Sequence, residues 1–289
     1  MNSSMLGNVL ASGVSHSIGW LPQRLRLRVG ERMAQRQIAY DERFANTVVQ
    51  NLATAFRGVS RERVTQLATE NAFRGAAAQI DHLWAWHASA KGFRQRVSLS
   101  GDTEFEPGRP VVIAAVHQFG MEVAAMRLSM LVQGGVVIDP GQSILPAAAR
   151  HAWSRFGDQK IIHFNNAARE SVRLMQAGKV LLVFVEDPPG EHRSMLPVDV
   201  LGARIRVTPL VLSLVKRYGA ELRWMNLSQQ RASTDSEWSY RVDLRTVEDA
   251  AQKLDLQGWR ELVASRLMTA WREDPAGYWW GRKRMKAVS

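Results

Sequence analysis

A histidine directly after a buried apolar run, with a carboxylate five positions on, is the strongest chemical feature of this sequence. The histidine is His117, closing the run Val111–Val116 (VVIAAV); the carboxylate is Glu122, reached through Gln118-Phe119-Gly120-Met121. A residue at the carboxyl end of a buried parallel strand stands where open α/β sheets place their ligands. Gly120 permits a sharp turn, so Glu122 on the first turn of a following helix can fold back toward the imidazole. A carboxylate beside histidine fixes its tautomer and favours the imidazolium formed when the ring accepts a proton. The pair therefore suits a general base that activates a hydroxyl; the same spacing also suits a structural histidine–carboxylate bond. Glu186 and Asp187 close a second run, Val180–Val185 (VLLVFV), and either line the same cleft or begin the turn Asp187-Pro188-Pro189-Gly190.

Other chemistry is excluded by what is missing. The chain has no cysteine, which removes disulfides, thiolate zinc sites, iron–sulfur clusters and cysteine nucleophiles. It contains no Gly-x4-Gly-Lys-Ser/Thr loop, no Gly-x-Gly-x-x-Gly after a strand and no Gly-x-Ser-x-Gly elbow. His82 and His87, five apart on an expected helix, lie on different faces and read as separate histidines rather than metal ligands. No cofactor is expected.

The elements that must position His117 follow from pattern. Residues 30–90 read as helical, with Ser60 as an N-cap and Lys91-Gly92 as a break. A turn-rich stretch, Ser100–Pro110, leads to short apolar runs alternating with helical segments. The runs Val111–Val116, Val136–Ile138, Ile161–Ile162 and Val180–Val185 read as strands buried on both faces. Helices are expected at 121–132, 143–156, 166–177, 208–218 and 258–272, and further strands at Ala220–Asn226 and Trp238–Arg245. The fold class is α/β, a mostly parallel mixed sheet flanked by helices, behind an N-terminal helical subdomain. The division expected is residues 1–100 as a helical, membrane-proximal part and 101–289 as the catalytic domain.

Charge points to anionic partners. Lys+Arg number 38 against 27 Asp+Glu, a net charge of +11, and only seven of the cations are lysine. No nucleic-acid motif accompanies this charge, so no nucleic acid is expected as partner. No run reaches the ~18 apolar residues of a membrane-spanning helix. Arg24, Arg26, Arg28, Arg32 and Arg36 follow Trp20, Leu21 and Pro22, a segment suited either to lying among anionic headgroups or to an ordinary solvated helix face.

The histidine box resembles the His-x4-Asp/Glu box of the late lipid A biosynthesis acyltransferases, a branch of the lysophospholipid/glycerolipid acyltransferase superfamily. Further boxes keep the family's order. Asn51-Leu52-Ala53-Thr54-Ala55-Phe56 resembles its N-L-x-x-A-F segment, and Val185–Gly190 its acidic, glycine-ended loop. Pro197–Ala203, followed by Thr208, resembles P-F-F-G-x-x-A, and Asp274–Arg284 resembles the P-E-Q-Y-x-W-x-H-R-R terminus.

The resemblance implies acyl transfer from a thioester, carried by acyl carrier protein or coenzyme A, to a hydroxyl of a lipid or glycolipid acceptor. His117 would be the base and Glu122 its orienter. Phe119, Gly120, Glu186, Asp187 and Gly190 fall in boxes implied to bind substrate. It implies a peripheral enzyme on an anionic surface, the cytoplasmic face of the bacterial inner membrane, or a soluble cytoplasmic one. Two departures stand out. The box interior lacks the family's Asn and Trp, and Asp139-Pro140 stands where an Arg-Pro pair is common. Arg150, Arg155 or Arg169 would have to supply the phosphate-binding cation, or are helix-surface charges. A catalytically inactive member that only binds lipid or carrier protein is the alternative. Trp279-Trp280 reads as a core pair or an interfacial anchor.

Overall fold

The computed structural model describes residues 17–132, 136–139, 156–157, 160–163, 166–186, 195–231, 238–281 and 285–288. Arg150, Arg155, Asp187, Gly190 and nearly all of the helix expected at 143–156 lie outside these residues. Four helices come first: α1 (Gln23–Tyr40), α2 (Glu42–Ala55), α3 (Arg61–Ala85) and α4 (Ala90–Arg96). Ser60 caps α3 by accepting the Arg63 N–H, and Ser89 caps α4 by accepting that of Gly92.

A seven-stranded sheet follows, in the order β1-β9-β8-β2-β5-β3-β4. Its strands are β1 (Val97–Gly101), β2 (Val111–Ala115), β3 (Val136–Asp139), β4 (Lys160–His163), β5 (Val180–Phe184), β8 (Glu221–Arg231) and β9 (Trp238–Thr246). All neighbours are parallel except the β8–β9 pair. Helices α5 (Met121–Ser129), α6 (Ala167–Gln176), α7 (Leu210–Tyr218), α8 (Ala250–Lys253) and α9 (Leu256–Glu273) complete the α/β pattern. A small antiparallel sheet, β10-β7-β6, is built from the hairpin β6 (Leu196–Val200) and β7 (Ala203–Val207) with β10 (Lys286–Ala287). The mostly parallel sheet and helical N-terminal region match the expected class.

β2 is the pivot. It is flanked by β5 and β8, and all five of its residues are buried, as expected for a central parallel strand. Alternate residues feed two cores. Val112, Ala114 and Val116 pack with Leu181, Val183 and Trp224 and with residues of α2, α7 and α9. Val111, Ile113 and Ala115 pack with Val180, Leu182, Phe93 of α4 and residues of α5. Two elements escaped the pattern. β1 begins between the stretch expected to be helical and the turn-rich one and runs into the latter, and it adds an edge to the sheet through its pairing with β9. The hairpin β6–β7 alternates buried and exposed residues and so forms a sheet apart from the main one.

Candidate active site

Register brings His117 and Glu186 together. β2 and β5 are parallel, with Ala115 opposite Phe184. Two residues further along each strand stand His117 and Glu186, and the period of two turns both toward the core of α4 and α5. The two meet there: His117 Nδ1 lies 3.1 Å from Glu186 Oε2. The same carboxylate accepts the His117 backbone N–H, at 3.0 Å to Oε1 and 3.1 Å to Oε2. Glu186 is 1% exposed, and a buried carboxylate without such partners would be costly. It is held in turn by a bridge to Val207, next to the Thr208 N–H···Val185 O bond at 2.8 Å.

The imidazole has aromatic walls. Phe184 stacks on it with ring centroids 4.5 Å apart and an interplanar angle of 26°, and Trp279 lies edgewise at 6.1 Å. Trp279 arrives on a C-terminal segment bound over the box like a strap. Its N–H donates to His117 O at 3.0 Å, and Phe119 N–H donates to Gly277 O at 2.9 Å. Asn71 of α3 gives its amide to Ala276 O and Tyr278 O, at 2.8 and 2.6 Å, and Asn51 of α2 gives its amide to Trp280 O at 2.7 Å. Gln118 is buried and accepts the Leu227 N–H through its side chain, tying the box to β8.

The remaining expected residues are distributed as follows. Glu122 is half-buried in the first turn of α5. Gly120 caps that helix with φ of 90°, and a Cβ there would lie 2.3 Å from the Tyr240 ring; its glycine is a backbone and packing requirement. The Phe119 ring fits against Gly75, where a Cβ would lie 3.0 Å from it. Asp139 ends β3, and only its backbone is described. Arg169 is exposed on α6 beside Glu170 at 3.5 Å, a helix-surface cation. Trp280 is fully buried, packing on Trp271 and Tyr278. His82 is buried in α3, where desolvation lowers its pKa to about 3, and His87 lies tilted against Trp20 with ring centroids 4.8 Å apart. Among the described residues no group of His, Asp and Glu is arranged to hold a metal ion.

The sequence offered Glu186 as one residue lining the cleft of His117, but not as the carboxylate on its Nδ1. Both residues follow apolar runs of equal length, so pairing those runs as parallel neighbours sets them side by side. The parts played by Asn71 and Gln118 had no local signal, because their partners lie more than 100 residues away.

The chain is similar in fold to the 1-acyl-sn-glycerophosphate (LPA) acyltransferase PlsC from Thermotoga maritima, at 15% identity and a TM-score of 0.39, covering 87% of this chain and 97% of that one. No curated protein sequence matches it. The family model described as bacterial lipid A biosynthesis acyltransferase matches residues 3–287, and the chain therefore belongs to that family of lipid acyltransferases.

Proposed function

We propose that this protein transfers a fatty acyl group from a thioester of acyl carrier protein or coenzyme A to a hydroxyl of a lipid acceptor, with His117 as general base. The observation that carries this reading is the Glu186 carboxylate on His117 Nδ1. A carboxylate there takes the Nδ1–H and leaves Nε2 as the basic nitrogen. Nε2 removes the acceptor's proton while the oxygen attacks the thioester carbonyl. The C–O bond forms, the C–S bond breaks, and the proton passes from the imidazolium to the departing thiolate. No acyl-enzyme is required. α5 begins four residues after His117, and the positive end of its dipole stabilises the developing oxyanion.

In this reading Glu186 is the orienter, the role expected of Glu122, and Glu122 is a second carboxylate at the start of α5. The helices before residue 100 form the membrane-proximal part. Five of the eight exposed large apolar residues among those described, Trp20, Leu25, Met33, Ile38 and Tyr40, lie on or beside α1 with the exposed Arg24, Arg28, Arg32 and Arg36. No helix among the described residues is long and apolar enough to cross a membrane. A basic amphipathic surface of this kind lies in a headgroup layer and holds the enzyme beside its lipid substrates.

The test is transfer from labelled acyl carrier protein and from acyl-CoA into a total bacterial lipid extract, with products read by mass. Wild type yields a new acylated lipid; His117→Ala and Glu186→Gln lose it by at least about 10²-fold. Transfer that survives His117→Ala would sink the mechanism.

A further inference from the structure

The imidazole of His117 has a neighbour to which the acyl-transfer chemistry above gives no part. Phe184 ends β5, and its ring stacks on His117 with centroids 4.5 Å apart and 26° between the planes. Register explains the contact. Phe184 stands opposite Ala115 of β2 and two residues before Glu186, so it projects to the same face of the sheet as Glu186 and His117. His117 is level with Glu186 and diagonal to Phe184, a separation that an aromatic side chain spans. Ala115, fully buried and small, leaves the ring room to lean across onto the imidazole.

What the ring does there depends on the charge of its partner. Against a neutral imidazole the stack is an apolar contact. Against an imidazolium it gains an electrostatic part, because the negative π face of Phe184 lies over a positive charge spread through the histidine ring. That attraction grows where water is excluded, and the His117 side chain is 10% exposed and that of Glu186 0%. The stack therefore strengthens as the histidine takes up a proton, a gain confined to the charged form. Glu186 acts on the same charge from Nδ1, in the plane of the ring, and Phe184 acts from above that plane.

Few other charges bear on the imidazole. Glu122 is the second charged residue of the box, and Arg127, further along α5, is turned to the Val97 carbonyl at 3.0 Å. The C-terminal strap from Ala276 to Gly281 and the stretch of β8 from Met225 to Gln229 carry no charged side chain.

We infer that Phe184 is a positioning residue of the reaction, whose ring holds the imidazole and stabilises the positive charge that His117 takes up. The inference rests on the acyl-transfer reading for the source of the proton, the acceptor hydroxyl; the stack does not depend on it.

Histidine NMR on the full chain tests it, following the His117 ring signal through a pH titration, with the signal assigned by its loss in His117→Ala. Fluorinated phenylalanines placed at position 184 keep the shape of the ring while draining its π face, and Phe184→Leu keeps an apolar side chain without one. The expected result is a titration midpoint that moves to lower pH, by about half a unit in Phe184→Leu, a threefold change in proton affinity, and stepwise with added fluorine. Phe184→Tyr, which restores a π face, keeps the wild-type midpoint. In acyl transfer, kcat falls by no more than the same factor and KM is unchanged. A ring that only walled off water would give the opposite sign, since its loss hydrates the imidazole and favours the charged form. A midpoint that rises in Phe184→Leu, or that ignores fluorine, would overturn the proposal. The titration needs no turnover. A chain whose midpoint follows the fluorine series but transfers no acyl group keeps the role of the stack and loses the proposed function; a chain that acylates lipids with a midpoint indifferent to fluorine does the reverse.

Discussion

At the scale of the residue, the site depends on backbone geometry that one side chain can spoil. Gly120 holds φ at 90° with its α-carbon against the Tyr240 ring. Gly120→Ala adds left-handed strain of roughly 1–2 kcal/mol and an overlap worth roughly 1–3 kcal/mol more. We expect a loss near 3 kcal/mol in urea unfolding. In a Tyr240→Ala background the same substitution should cost less, by about 1–2 kcal/mol, because the overlap is gone while the strain remains. An additive cycle would remove Tyr240 from the argument. Much of this residue scale was legible in advance. His117 was identified from its place after an apolar run, and the glycine from the sharp turn its box requires. The Nδ1 partner was not, because Glu122 is near in sequence whereas Glu186 becomes near only once β2 and β5 are neighbours in register. Sequence proximity pointed to Glu122, and tertiary pairing adds Glu186 on Nδ1.

Elements act through the contacts that cross between them. Asn71 reaches from α3 to the C-terminal strap, whose Trp279 and Gly277 bond the backbone of the box. Asn71→Leu keeps the volume but removes both bonds, at an expected cost of about 2 kcal/mol. It should also lower kcat by roughly ten- to a hundredfold through misplacement of His117; a stability loss with unchanged kcat would confine Asn71 to folding. His82, eleven residues along the same helix, carries a pH effect. Burial lowers its pKa from 6.5 to about 3. Between those values the unfolded chain takes up a proton that the folded chain refuses, so stability falls as pH drops from 6.5 toward 3, by roughly 3–5 kcal/mol in total. Asp81, raised by burial against the pull of Arg96, works in the opposite direction at the acid end. His82→Phe should flatten the loss between pH 6.5 and 4.5 in thermal melts, and an unaltered acid slope would show that other groups govern it. The long, strongly patterned elements were readable: α3 by its Ser60 cap, β2 and β5 by continuous apolar runs, α9 by its amphipathic period. β1 and the β6–β7 hairpin were not. β1 is held by pairing with β9, more than 130 residues away, and the hairpin pairs with itself and with β10 at the far end of the chain, so neither carries a long apolar run of its own.

For the molecule as a whole, the excess of 11 positive charges must be weighed by where it lies. Many of the arginines are spent internally: Arg96 on Asp81, Arg74 on Asp274 and Arg223 on Glu221. Arg24, Arg28, Arg32 and Arg36 on α1 are exposed, and they share that surface with Trp20, Leu25, Met33, Ile38 and Tyr40. The sheet's catalytic end and this helix belong to one molecule that must meet a lipid acceptor, so a surface combining exposed apolar side chains with cations has a physical task there. Each cation near an anionic leaflet contributes about 1 kcal/mol, and the apolar side chains add area buried in the headgroup layer. Vesicle co-sedimentation should therefore show binding to membranes rich in anionic lipid, weakening as salt rises from 0.05 to 0.5 M, about the range over which screening becomes short-ranged. Arg28→Ala with Arg32→Ala should weaken that binding by about thirtyfold, as about 2 kcal/mol requires. Trp20→Ala should weaken binding in a way that salt does not alter. Equal binding to neutral and anionic vesicles would remove the electrostatic half of this account, and no binding to either would leave α1 an ordinary solvated helix whose apolar face is covered by something other than lipid.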